Sequence, residues 1–500
     1  MNYKSGELIF KRLGIHTQHE HFAYMREDCH VCVSEGFEAL TRIRITNGKK
    51  SIVASLNVIR SEILKKGEIS LSESAIQSLG VLEGETITAS HLHPISSLSY
   101  VRSKIYGNIL PGIELKEIIQ DIVIGNYSNI HLSAFITACA GNRMSTQEII
   151  SLTKAMVDSG QRIHWGTEMV VDKHCIGGLP GNRTTPIVVS VVTAFGLTMP
   201  KTSSRAITSP AGTADTMEVM TEVNLSMEQI KKVVEKEGGC IVWGGTAKLS
   251  PADDILIKVE KALDIDSEGQ LIASVLSKKL AAGSNYAIID MPVGETAKLR
   301  SIDAANELKV EMEKVAHAVG LKLKVVITDG SQPVGRGIGP ALEARDILSV
   351  LRNEENAPAD LKERALLLAG EILELSGKVE SGDGNNIARK LLESGRAYKK
   401  FLAICEAQGG FREPKLAKYQ HAVKSENTGI VIKVDNQRLA KIAKLAGAPN
   451  NKASGIDYLA PLGTAVEKGQ TLYIIHAESK GELAYAIEYY NSQQEILIIN

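Results

Sequence analysis

The sequence predicts an α/β protein in which a mixed or mostly parallel sheet and a helical lobe lie between two smaller domains. Strand-like and helix-like segments alternate from residue 166 to residue 413, as expected when crossover helices connect parallel strands. A helical period replaces this alternation at 113–158, and short strand-like segments return at both ends of the chain. We therefore predict a β-rich domain at 1–90, a helical lobe at 95–165 with 252–283, an α/β domain at 166–251 and 284–413, and an α+β domain at 422–500.

The N-terminal domain is predicted from short apolar segments that glycines separate. Strands are expected at 8–10, 43–45, 52–54 and 86–88, with a helix at 73–79. The domain also contains a run of histidines and cysteines: His16, His19, His21, Cys29, His30 and Cys32. A zinc site normally requires two well-spaced ligand pairs, and this run has one Cys-x-x-Cys pair. We therefore expect buried thiols and surface histidines, and we predict no metal site.

The helical lobe is predicted from an apolar face that repeats at helical spacing. This face contains Ile118, Ile119, Ile122 and Val123. Further along, Ser145 and Glu148 have the spacing of a capping box, which predicts the start of a helix that Gly160 ends. We expect these helices to cover the next stretch of the chain.

The most informative stretch is residues 169–186, which we call the cradle. Its apolar start, 169–171, predicts a buried strand. Lys173 follows the strand, and then come three glycines at positions 177, 178 and 181. Glycines at such a turn let the backbone approach a bound ligand closely. The cradle is therefore predicted to be a strand that ends in a glycine turn beside a lysine.

A helix is predicted directly after this turn. Thr185 is a good N-cap and Pro186 suits a first helical position, so the helix should cover 186–194 and end at Gly196. The free N–H groups and the dipole of a helix N-terminus favour a bound anion, and Lys173 adds a positive charge. The cradle is therefore a candidate phosphate site, although an ordinary strand–turn–helix connection has the same outline. It matches neither the Walker A loop nor Gly-x-Gly-x-x-Gly.

A second polar stretch follows the predicted cradle helix. Residues 202–209 contain five Ser and Thr hydroxyls around Arg205, and Gly212 and Thr213 come next. This pattern suits hydrogen bonds to phosphate and ribose oxygens, and a flexible polar surface loop is the alternative. We call residues 202–209 the hydroxyl loop.

The rest of the chain is predicted to alternate again and then to become a small α+β domain. Ser226 and Gln229 have capping-box spacing, and Asp253 and Asp254 are expected to cap a helix rather than to bind a metal. The predicted strands lie at 241–243, 287–291, 325–328, 429–432 and 472–475. The predicted helices lie at 253–262, 272–282, 342–352, 360–376 and 386–407.

The composition excludes several classes of protein. The 57 basic and 58 acidic residues nearly cancel, and no basic tail is present, so a nucleic-acid partner is not expected. No apolar run reaches about 18 residues, so no membrane span is expected. The N-terminus lacks the apolar segment of a signal peptide, and six cysteines in 500 residues do not form a disulfide scaffold. We expect a cytoplasmic protein.

These features favour phosphorolysis over other reactions at a phosphate site. The sequence has no Gly-x-Ser-x-Gly nucleophile turn and no kinase signature. In phosphorolysis, inorganic phosphate attacks the anomeric carbon of a nucleoside and the base leaves from an oxocarbenium-like transition state. The protein must hold phosphate in line and give a proton or a hydrogen bond to the base, which a buried carboxylic acid can do.

Several motifs resemble those of one enzyme family. Val171-Asp-Lys-His-Cys-Ile-Gly-Gly178 resembles the Asp-Lys-His-Ser-x-Gly-Gly motif of the thymidine/pyrimidine-nucleoside phosphorylase family. Matching segments occur at 273–283, 332–343, 393–397 and 407–410, and the resemblance covers about residues 95–490. It implies a nucleoside phosphorylase-like fold with a helical lobe, a homodimer or larger homo-oligomer, and inorganic phosphate as co-substrate without a cofactor.

The N-terminal domain and the Gly-Gly-x-Pro-Gly-Asn segment are similar to those of the long branch of this family. That branch contains AMP phosphorylases and bacterial proteins labelled thymidine phosphorylases. We favour AMP as substrate, giving adenine and ribose 1,5-bisphosphate. Thymidine, giving thymine and 2-deoxyribose 1-phosphate, is the alternative. Two further hypotheses are a magnesium-dependent phosphoribosyltransferase and a non-catalytic nucleotide-binding protein.

The resemblance also implies roles for individual residues. The positions that bind phosphate in the family are Lys173, Cys175, Thr185 and Thr213. The positions that contact nucleotide in the long branch are Gly178, Ser204, Arg205, Ala206, Ile207, Thr208, Ser209, Thr213, Ser274 and Lys298. The resemblance implies Asp266 as proton donor and Lys278 as base contact, and a helix N-terminal carboxylate is the alternative for Asp266. From its own chemistry, His174 is expected either to donate to the base or to orient the end of the strand. Of Lys278 and Lys279, at least one is expected to face the cleft.

Three departures from the family bear on the substrate. Cys175 replaces a serine that binds phosphate, and a thiol is the weaker hydrogen-bond donor. The segment 255–260 lacks the Tyr and the Arg that clamp the base in the pyrimidine enzymes. Arg205, surrounded by hydroxyls, is placed in the sequence to receive a 5′-phosphate, which favours a nucleoside monophosphate.

Overall fold

A computed structural model of the chain describes residues 6–17, 20–92, 94–181, 183–206, 209–247, 249–263, 265, 267–493 and 495–500. The chain forms two compact units. One comprises Met1–Asn108 and Glu117–Phe135, and the other comprises Ile109–Lys116 and Ile136–Asn500. The cradle and the hydroxyl loop both belong to the second unit. Within the described ranges, no helix combines the length and the apolarity that crossing a membrane requires.

The first unit contains a β-barrel. Its elements are β1 (Glu7–Phe10), β2 (Phe22–Arg26), α1 (His30–Glu35), β3 (Arg42–Asn47), β4 (Lys50–Ile59), β5 (Glu68–Leu71), α2 (Glu73–Leu79) and β6 (Thr86–His91). The strands close in the order β1-β5-β2-β4-β3-β6. Alternate side chains such as Leu8, Phe10, Ile43 and Ile45 point inward and form its core, because successive strand residues face opposite sides. All four strands predicted here, and the helix at 73–79, are confirmed.

The His/Cys run lies in this barrel. Cys29 and Cys32 are buried and His16 and His30 are exposed, as expected, while His19 lies outside the described residues. Among the residues that the structure describes, no group of three or more His, Cys, Asp or Glu side chains is placed to hold a metal ion.

Four helices follow the barrel. They are α3 (Leu98–Ile105), α4 (Gly112–Val123), α5 (Asn129–Cys139) and α6 (Thr146–Asp158). The predicted capping box at the start of α6 is confirmed: the Ser145 hydroxyl accepts from the Glu148 N–H, and the Glu148 carboxylate accepts from the Ser145 N–H at 2.9 Å. On α4, Ile118, Ile119 and Ile122 are buried, so this helix buries the predicted apolar face.

The α/β part of the second unit begins at β7. Its first elements are β7 (Val171–Cys175), α7 (Thr184–Phe195), β8 (Met199–Ser203), α8 (Thr213–Met220), α9 (Met227–Glu237), β9 (Gly239–Trp243) and a 3-10 turn at Gly244–Ala247. Two helices of the predicted lobe follow, α10 (Pro251–Leu263) and α11 (Glu268–Ala281). The remaining elements are β10 (Tyr286–Val293), α12 (Ile302–Ala318), β11 (Lys322–Asp329), β12 (Gly337–Ile338), α13 (Pro340–Leu351), α14 (Ala359–Leu375), α15 (Gly384–Glu393) and α16 (Arg396–Ala407).

The predicted parallel sheet is confirmed. Strand β10 pairs in parallel with both β7 and β11, and β8 pairs in parallel with β9. A parallel bridge between Val170 and Thr198 joins the two groups, so the order is β11-β10-β7-β8-β9. The carboxyl ends of all five strands therefore meet at one edge of the sheet, which is where ligands bind in open α/β sheets.

Three local predictions were wrong. The cradle strand lies at Val171–Cys175 rather than 169–171. The predicted strand stopped before the charged Asp172 and Lys173, but both side chains are paired and fully buried, so the strand continues through them. Helix α7 begins at Thr184, so Thr185 lies inside the first turn instead of capping it. The helix predicted at 386–407 is two helices, α15 and α16, separated at Gly395, whose φ of 74° is left-handed.

The chain ends in a small α+β part. Its elements are β13 (Tyr419–Lys424), β14 (Gly429–Val434), α17 (Asn436–Leu445), β15 (Gly455–Tyr458), β16 (Ala465–Val466), β17 (Thr471–Ala477), α18 (Lys480–Ser492) and β18 (Leu497–Ile499). They form two sheets with the orders β12-β15-β17-β13 and β16-β14-β18. Strand β12 thus completes a C-terminal sheet, and Leu179 of the cradle belongs to the same buried cluster as Ile456 and Ile475.

Candidate active site

The cradle turn connects the carboxyl end of β7 with the start of α7. Gly177 and Gly178 have φ values of 114° and 87°, which L side chains rarely adopt, so the turn requires glycine at both positions. At Gly181, a Cβ atom would lie 2.8 Å from Cys175 Sγ and 3.0 Å from Asp290 Oδ2. The turn is therefore packed closely against the ends of β7 and β10.

Lys173 extends its ammonium group to the first turn of α7. Its Nζ donates to Thr184 Oγ1 at 2.7 Å and lies 3.5 Å from Thr185 Oγ1 and from the Gly181 carbonyl oxygen. The lysine side chain is fully buried, and Asp290 Oδ2 is 3.8 Å from Nζ. The structure therefore brings Lys173 and Thr185 together at a helix N-terminus, an arrangement that favours an anion.

Cys175 lies at the end of β7, opposite Asp290 in the register of β10. Burial, together with nearby Asp290, raises the pKa of the Cys175 thiol to about 12. The thiol therefore stays protonated at neutral pH and acts as a weak hydrogen-bond donor towards an anion. Asp290 Oδ2 is buried without a hydrogen-bond partner among the described residues, whereas its Oδ1 accepts from Thr328 Oγ1 at 2.7 Å.

His174 follows Lys173 on β7 and is mostly, though not fully, buried. Burial, followed by the positive charges of Lys279, Lys201, Lys278 and Lys173, lowers the pKa of His174 well below that of an ordinary histidine. The imidazole is therefore neutral at neutral pH, so it can donate one N–H hydrogen bond but holds no additional proton to transfer.

The hydroxyl loop is packed against the start of α8. A Cβ atom at Gly212 would lie 2.7 Å from the Ser204 carbonyl oxygen, so this loop and the helix N-terminus are in close contact. Asp215 accepts from the N–H groups of Ala206 at 2.7 Å and of Gly212 at 3.1 Å. The backbone at 204–206 is thus held in place, and Thr213 is the first residue of α8.

Other predicted residues of the hydroxyl loop differ in their surroundings. Ile207 and Thr208 lie outside the described residues. The Ser209 hydroxyl donates to the Ala211 carbonyl oxygen at 2.8 Å. Ser204 is exposed and remains available to a ligand.

Arg205 is engaged by carboxylates. Its guanidinium donates to both oxygens of Glu218, at 2.6 and 2.8 Å, and to Asp215 at 3.2 Å. It also lies 5.0 Å from the centre of the Trp243 ring. The hydrogen bonds from Arg205 lower the pKa of Glu218 to about 2. A 5′-phosphate would therefore have to displace the Glu218 carboxylate, which is ionised at neutral pH.

Helix α11 presents Ser274 and Lys278 on one partly exposed face, because residues four apart lie on the same side of a helix. Lys278 Nζ donates to Asp253 Oδ2 of α10 at 2.8 Å. Lys298 is exposed in the segment after β10, at the same edge of the sheet as the end of β7. Asp266, the expected proton donor, lies outside the described residues.

Sequence reasoning missed four charged residues of this site. Asp172, Lys201 and Asp290 were not singled out, and Lys279 was not separated from Lys278. All four are nearly or fully buried: Asp172, Lys201, Lys279 and Asp290. A charged residue inside an otherwise apolar strand was the available signal for Asp172 and Asp290, because such charges are buried only when they are paired or functional.

Three family models match the chain. The glycosyl transferase family a/b domain matches residues 167–398, and the glycosyl transferase family helical bundle domain matches residues 98–160. The pyrimidine nucleoside phosphorylase C-terminal domain matches residues 430–497. The cradle, the hydroxyl loop and α11 all lie within the first of these matches.

Similar curated proteins extend over nearly the whole chain. A protein of Legionella pneumophila (strain Corby) named "Putative thymidine phosphorylase" is 57% identical over 98% of this chain and 95% of its own length. A protein of the same name from Polaromonas sp. (strain JS666 / ATCC BAA-500) is 55% identical over 98% of this chain and 96% of its own length. Both therefore include the N-terminal barrel as well as the site.

Two solved structures share the fold. Anthranilate phosphoribosyltransferase from Thermus thermophilus is similar with a TM-score of 0.53 at 20% identity, over 62% of this chain and 98% of that one. The enzyme from Saccharomyces cerevisiae is similar with a TM-score of 0.50 at 16% identity, over 63% of this chain and 99% of that one. The family models and the curated relatives show that the chain is a pentosyltransferase and belongs to the thymidine/pyrimidine-nucleoside phosphorylase family.

Proposed function

We propose that the chain catalyses the phosphorolysis of thymidine, giving thymine and 2-deoxyribose 1-phosphate. The observation that carries the proposal is the buried Lys173 ammonium at the first turn of α7, 2.7 Å from Thr184 Oγ1 and beside the glycine turn. A fixed positive charge, a helix N-terminus and an open glycine backbone together suit inorganic phosphate. The names of the relatives support thymidine as the nucleoside that reacts with this phosphate.

The reaction would give the candidate residues distinct roles. Lys173, Thr185, Thr213 and Cys175 would bind phosphate and hold one oxygen in line with the anomeric carbon. Ser274 and Lys278, on the exposed face of α11, would contact the base. As the glycosidic bond breaks, negative charge develops on the base, and Lys278 would stabilise it. Asp266 would donate the proton to the base, and neutral His174 would donate a hydrogen bond.

AMP is the second candidate substrate. The hydroxyl loop, Thr213 and the N-terminal barrel favour it, because the long branch of the family includes AMP phosphorylases. The ion pairs of Arg205 with Glu218 and Asp215 count against a 5′-phosphate at that side chain. For this reason thymidine is the first candidate and AMP the second.

A substrate panel separates these candidates. The full chain is incubated with phosphate and thymidine, uridine, adenosine or AMP, and free base is measured. We expect thymine from thymidine. Adenine from AMP, without thymine, would replace the first candidate by the second, and no base from any substrate would reject phosphorolysis.

Lys173→Ala tests the phosphate role directly. Because the variant removes the charge at the cradle, we expect kcat/KM for phosphate to fall about 10- to 150-fold, since charged hydrogen bonds contribute about 1.5–3 kcal/mol and the helix dipole remains. Lys232→Ala is the matched control, since Lys232 is an exposed lysine that pairs only with Glu228 of its own helix in the described contacts. Wild-type phosphate dependence in Lys173→Ala would contradict the assignment.

We further propose that the enzyme needs no cofactor and acts as a cytoplasmic homodimer or larger homo-oligomer, without nucleic-acid or membrane partners. Ile105, Tyr106, Ile124 and Ile130 of the first unit are large apolar side chains that are more than half exposed, and association between copies could cover such side chains. Sedimentation tests the assembly, and a monomer at assay concentration would contradict it. A chelator should leave the rate unchanged; loss of activity would favour a magnesium-dependent phosphoribosyltransferase.

A further inference from the structure

Asp172 of the cradle strand forms a cluster of buried charges with two lysines from other elements. Asp172 on β7 accepts from Lys279 Nζ of α11 at 2.5 Å, and its other oxygen is 3.4 Å from Lys201 Nζ of β8. The three residues are 0–4% exposed. The cluster therefore joins three elements, and it adjoins the carboxyl end of β7, where His174 and Lys173 approach the ligand site.

The charges in this cluster do not balance. Two ammonium groups share the single carboxylate of Asp172, which also accepts from the Lys173 backbone N–H at 2.6 Å. Lys201 Nζ further donates to the Thr202 carbonyl oxygen at 2.7 Å, a neutral partner. When both lysines are protonated, the cluster carries a net charge of about +1. In a region shielded from water, such a charge acts strongly on the nearest titratable group.

His174 is that group, since it lies two residues after Asp172 on β7 and side chains two apart in a strand point to the same face of the sheet. We propose that Lys279 and Lys201 are positioning residues that hold His174 as a neutral imidazole, so that it offers one N–H to the departing base beside the bound phosphate. The part of this proposal that concerns the base rests on the proposed function, whereas the control of His174 by the lysines does not.

The electrostatic surroundings of His174 support the proposal. Four lysines act on His174: Lys279 and Lys278 on α11, Lys201 on β8 and Lys173 on β7. Their carboxylate partners are Asp172 for Lys279 and Lys201, Asp253 for Lys278, and Asp290 for Lys173. Lysines outnumber carboxylates in this set, so an imidazolium would be repelled. Burial, together with Lys201 and against the effect of Asp172, also lowers the pKa of Lys279 to about 7.

The test is the titration of His174 in the full chain without substrates. Histidines are labelled with ¹³C at Cε1, and the His174 signal among the 12 histidines is assigned by its loss in His174→Asn. Lys279→Met leaves Asp172 paired with Lys201, so the variant keeps a balanced buried pair and should fold. We expect the pKa of His174 to rise by about one unit, because one neighbouring positive charge is removed.

Two further variants make the result decisive. Lys201→Met should raise the pKa of His174 in the same direction, because it removes the other excess charge. Lys400→Met is the matched control. Lys400, on α16, is partly buried and pairs at 3.0 Å with Oε2 of Glu237, which lies two residues before the start of β9 and so at the amino ends of the strands. It should leave the His174 titration unchanged.

An unchanged His174 titration in folded Lys279→Met and Lys201→Met would overturn the proposal. If phosphorolysis is observed, the acid limb of kcat/KM should move to higher pH in both variants by the shift measured for His174. If the acid limb of kcat/KM does not move although the pKa of His174 rises, the neutral form of His174 is not required for catalysis. If no substrate is cleaved, the titration still decides whether the lysines control His174.

Discussion

Cys175 is the residue at which this site departs most clearly from the serine expected in its family. The thiol is protonated, since its pKa is raised to about 12, and it lies at the end of the strand that carries Lys173. We expect Cys175→Ser to lower the KM for phosphate about 3- to 10-fold with little change in kcat, because a hydroxyl is the better donor and a hydrogen bond contributes about 0.5–1.5 kcal/mol. Cys240→Ser, at a buried cysteine of β9, is the control and should not affect the phosphate KM. An unchanged KM in Cys175→Ser would mean that this side chain does not contact phosphate.

Lys279 makes stability depend on pH. Its pKa is lowered to about 7 by burial, so between pH 7 and about pH 8.5 the unfolded chain binds more protons than the folded chain at this group. Stability must therefore rise with pH in this window, by about 1–2 kcal/mol. Above pH 9 the thiols of Cys175 and Cys240, whose pKa values are raised, stay protonated in the folded chain but ionise in the unfolded chain. These two groups therefore lower stability as the pH rises and oppose the effect of Lys279.

Urea denaturation at pH 7, 7.75 and 8.5 measures this effect. Wild type should gain stability across the window and Lys279→Met should not. A parallel rise in both proteins would show that Lys279 is not its source.

The sequence allowed the cradle to be predicted but not the buried ion pairs of Asp172 with Lys201 and Lys279. Lys173 and the three glycines were visible because lysine, glycine and a helix start occur together. The roles of Lys278 and Lys279 could not be separated, since neighbouring residues on a helix point about 100° apart and the phase of α11 depends on packing. The partners of Asp172 come from β8 and α11, 29 and 107 residues away in the chain, and no local pattern links them.

At the scale of elements, the turn between β7 and α7 depends on Gly181. A side chain there would contact Cys175 Sγ and Asp290 Oδ2. We expect Gly181→Ala to raise the KM for phosphate at least about 10-fold, because the turn must move by several tenths of an ångström and misplaced binding groups lose much of their effect. Phosphate dependence of the initial rate measures this.

Gly196 provides the matched control at the other end of α7. It is left-handed, with a φ of 111°, and among the described residues no atom beyond its chain neighbours lies within 4 Å of a Cβ placed there. Gly196→Ala should reduce the free energy of unfolding by about 1–2 kcal/mol and leave phosphate binding unchanged. If Gly181→Ala and Gly196→Ala have the same KM for phosphate, the close packing at Gly181 does not affect phosphate binding.

Among the elements, those with strong local signals were predicted best. Helix α2 matches its predicted bounds, and the capping boxes at Ser145 and Ser226 are both formed. Strand β7 was misplaced because its centre is charged, and charged residues normally argue against a buried strand. Tertiary partners such as Lys279 and Thr184 make that burial possible.

At the scale of the whole molecule, the C-terminal part supports the site through Leu179. This cradle residue is 3% exposed and packs in the C-terminal cluster that also contains Leu439. We expect Leu179→Ala and Leu439→Ala each to reduce the free energy of unfolding by about 2–5 kcal/mol, as buried leucines generally do. Only Leu179→Ala should also raise the KM for phosphate, because it loosens the cradle.

Folded-state phosphate titrations compare these two variants. Equal phosphate affinities would mean that packing of the cradle against the C-terminal part does not affect the ligand site. The sequence predicted the small C-terminal fold, but the insertion of β12 into its sheet and the position of Leu179 in its core depend on contacts between residues more than 100 positions apart.

The N-terminal barrel is closed, since β1 pairs with both β5 and β6. A closed barrel offers no unpaired row of backbone N–H and C=O groups at a sheet edge. Any molecule that docks on this barrel must therefore recognise its side chains and loops, because it cannot extend the barrel by adding a strand. The barrel is also protected, by the same closure, from templating edge-to-edge aggregation.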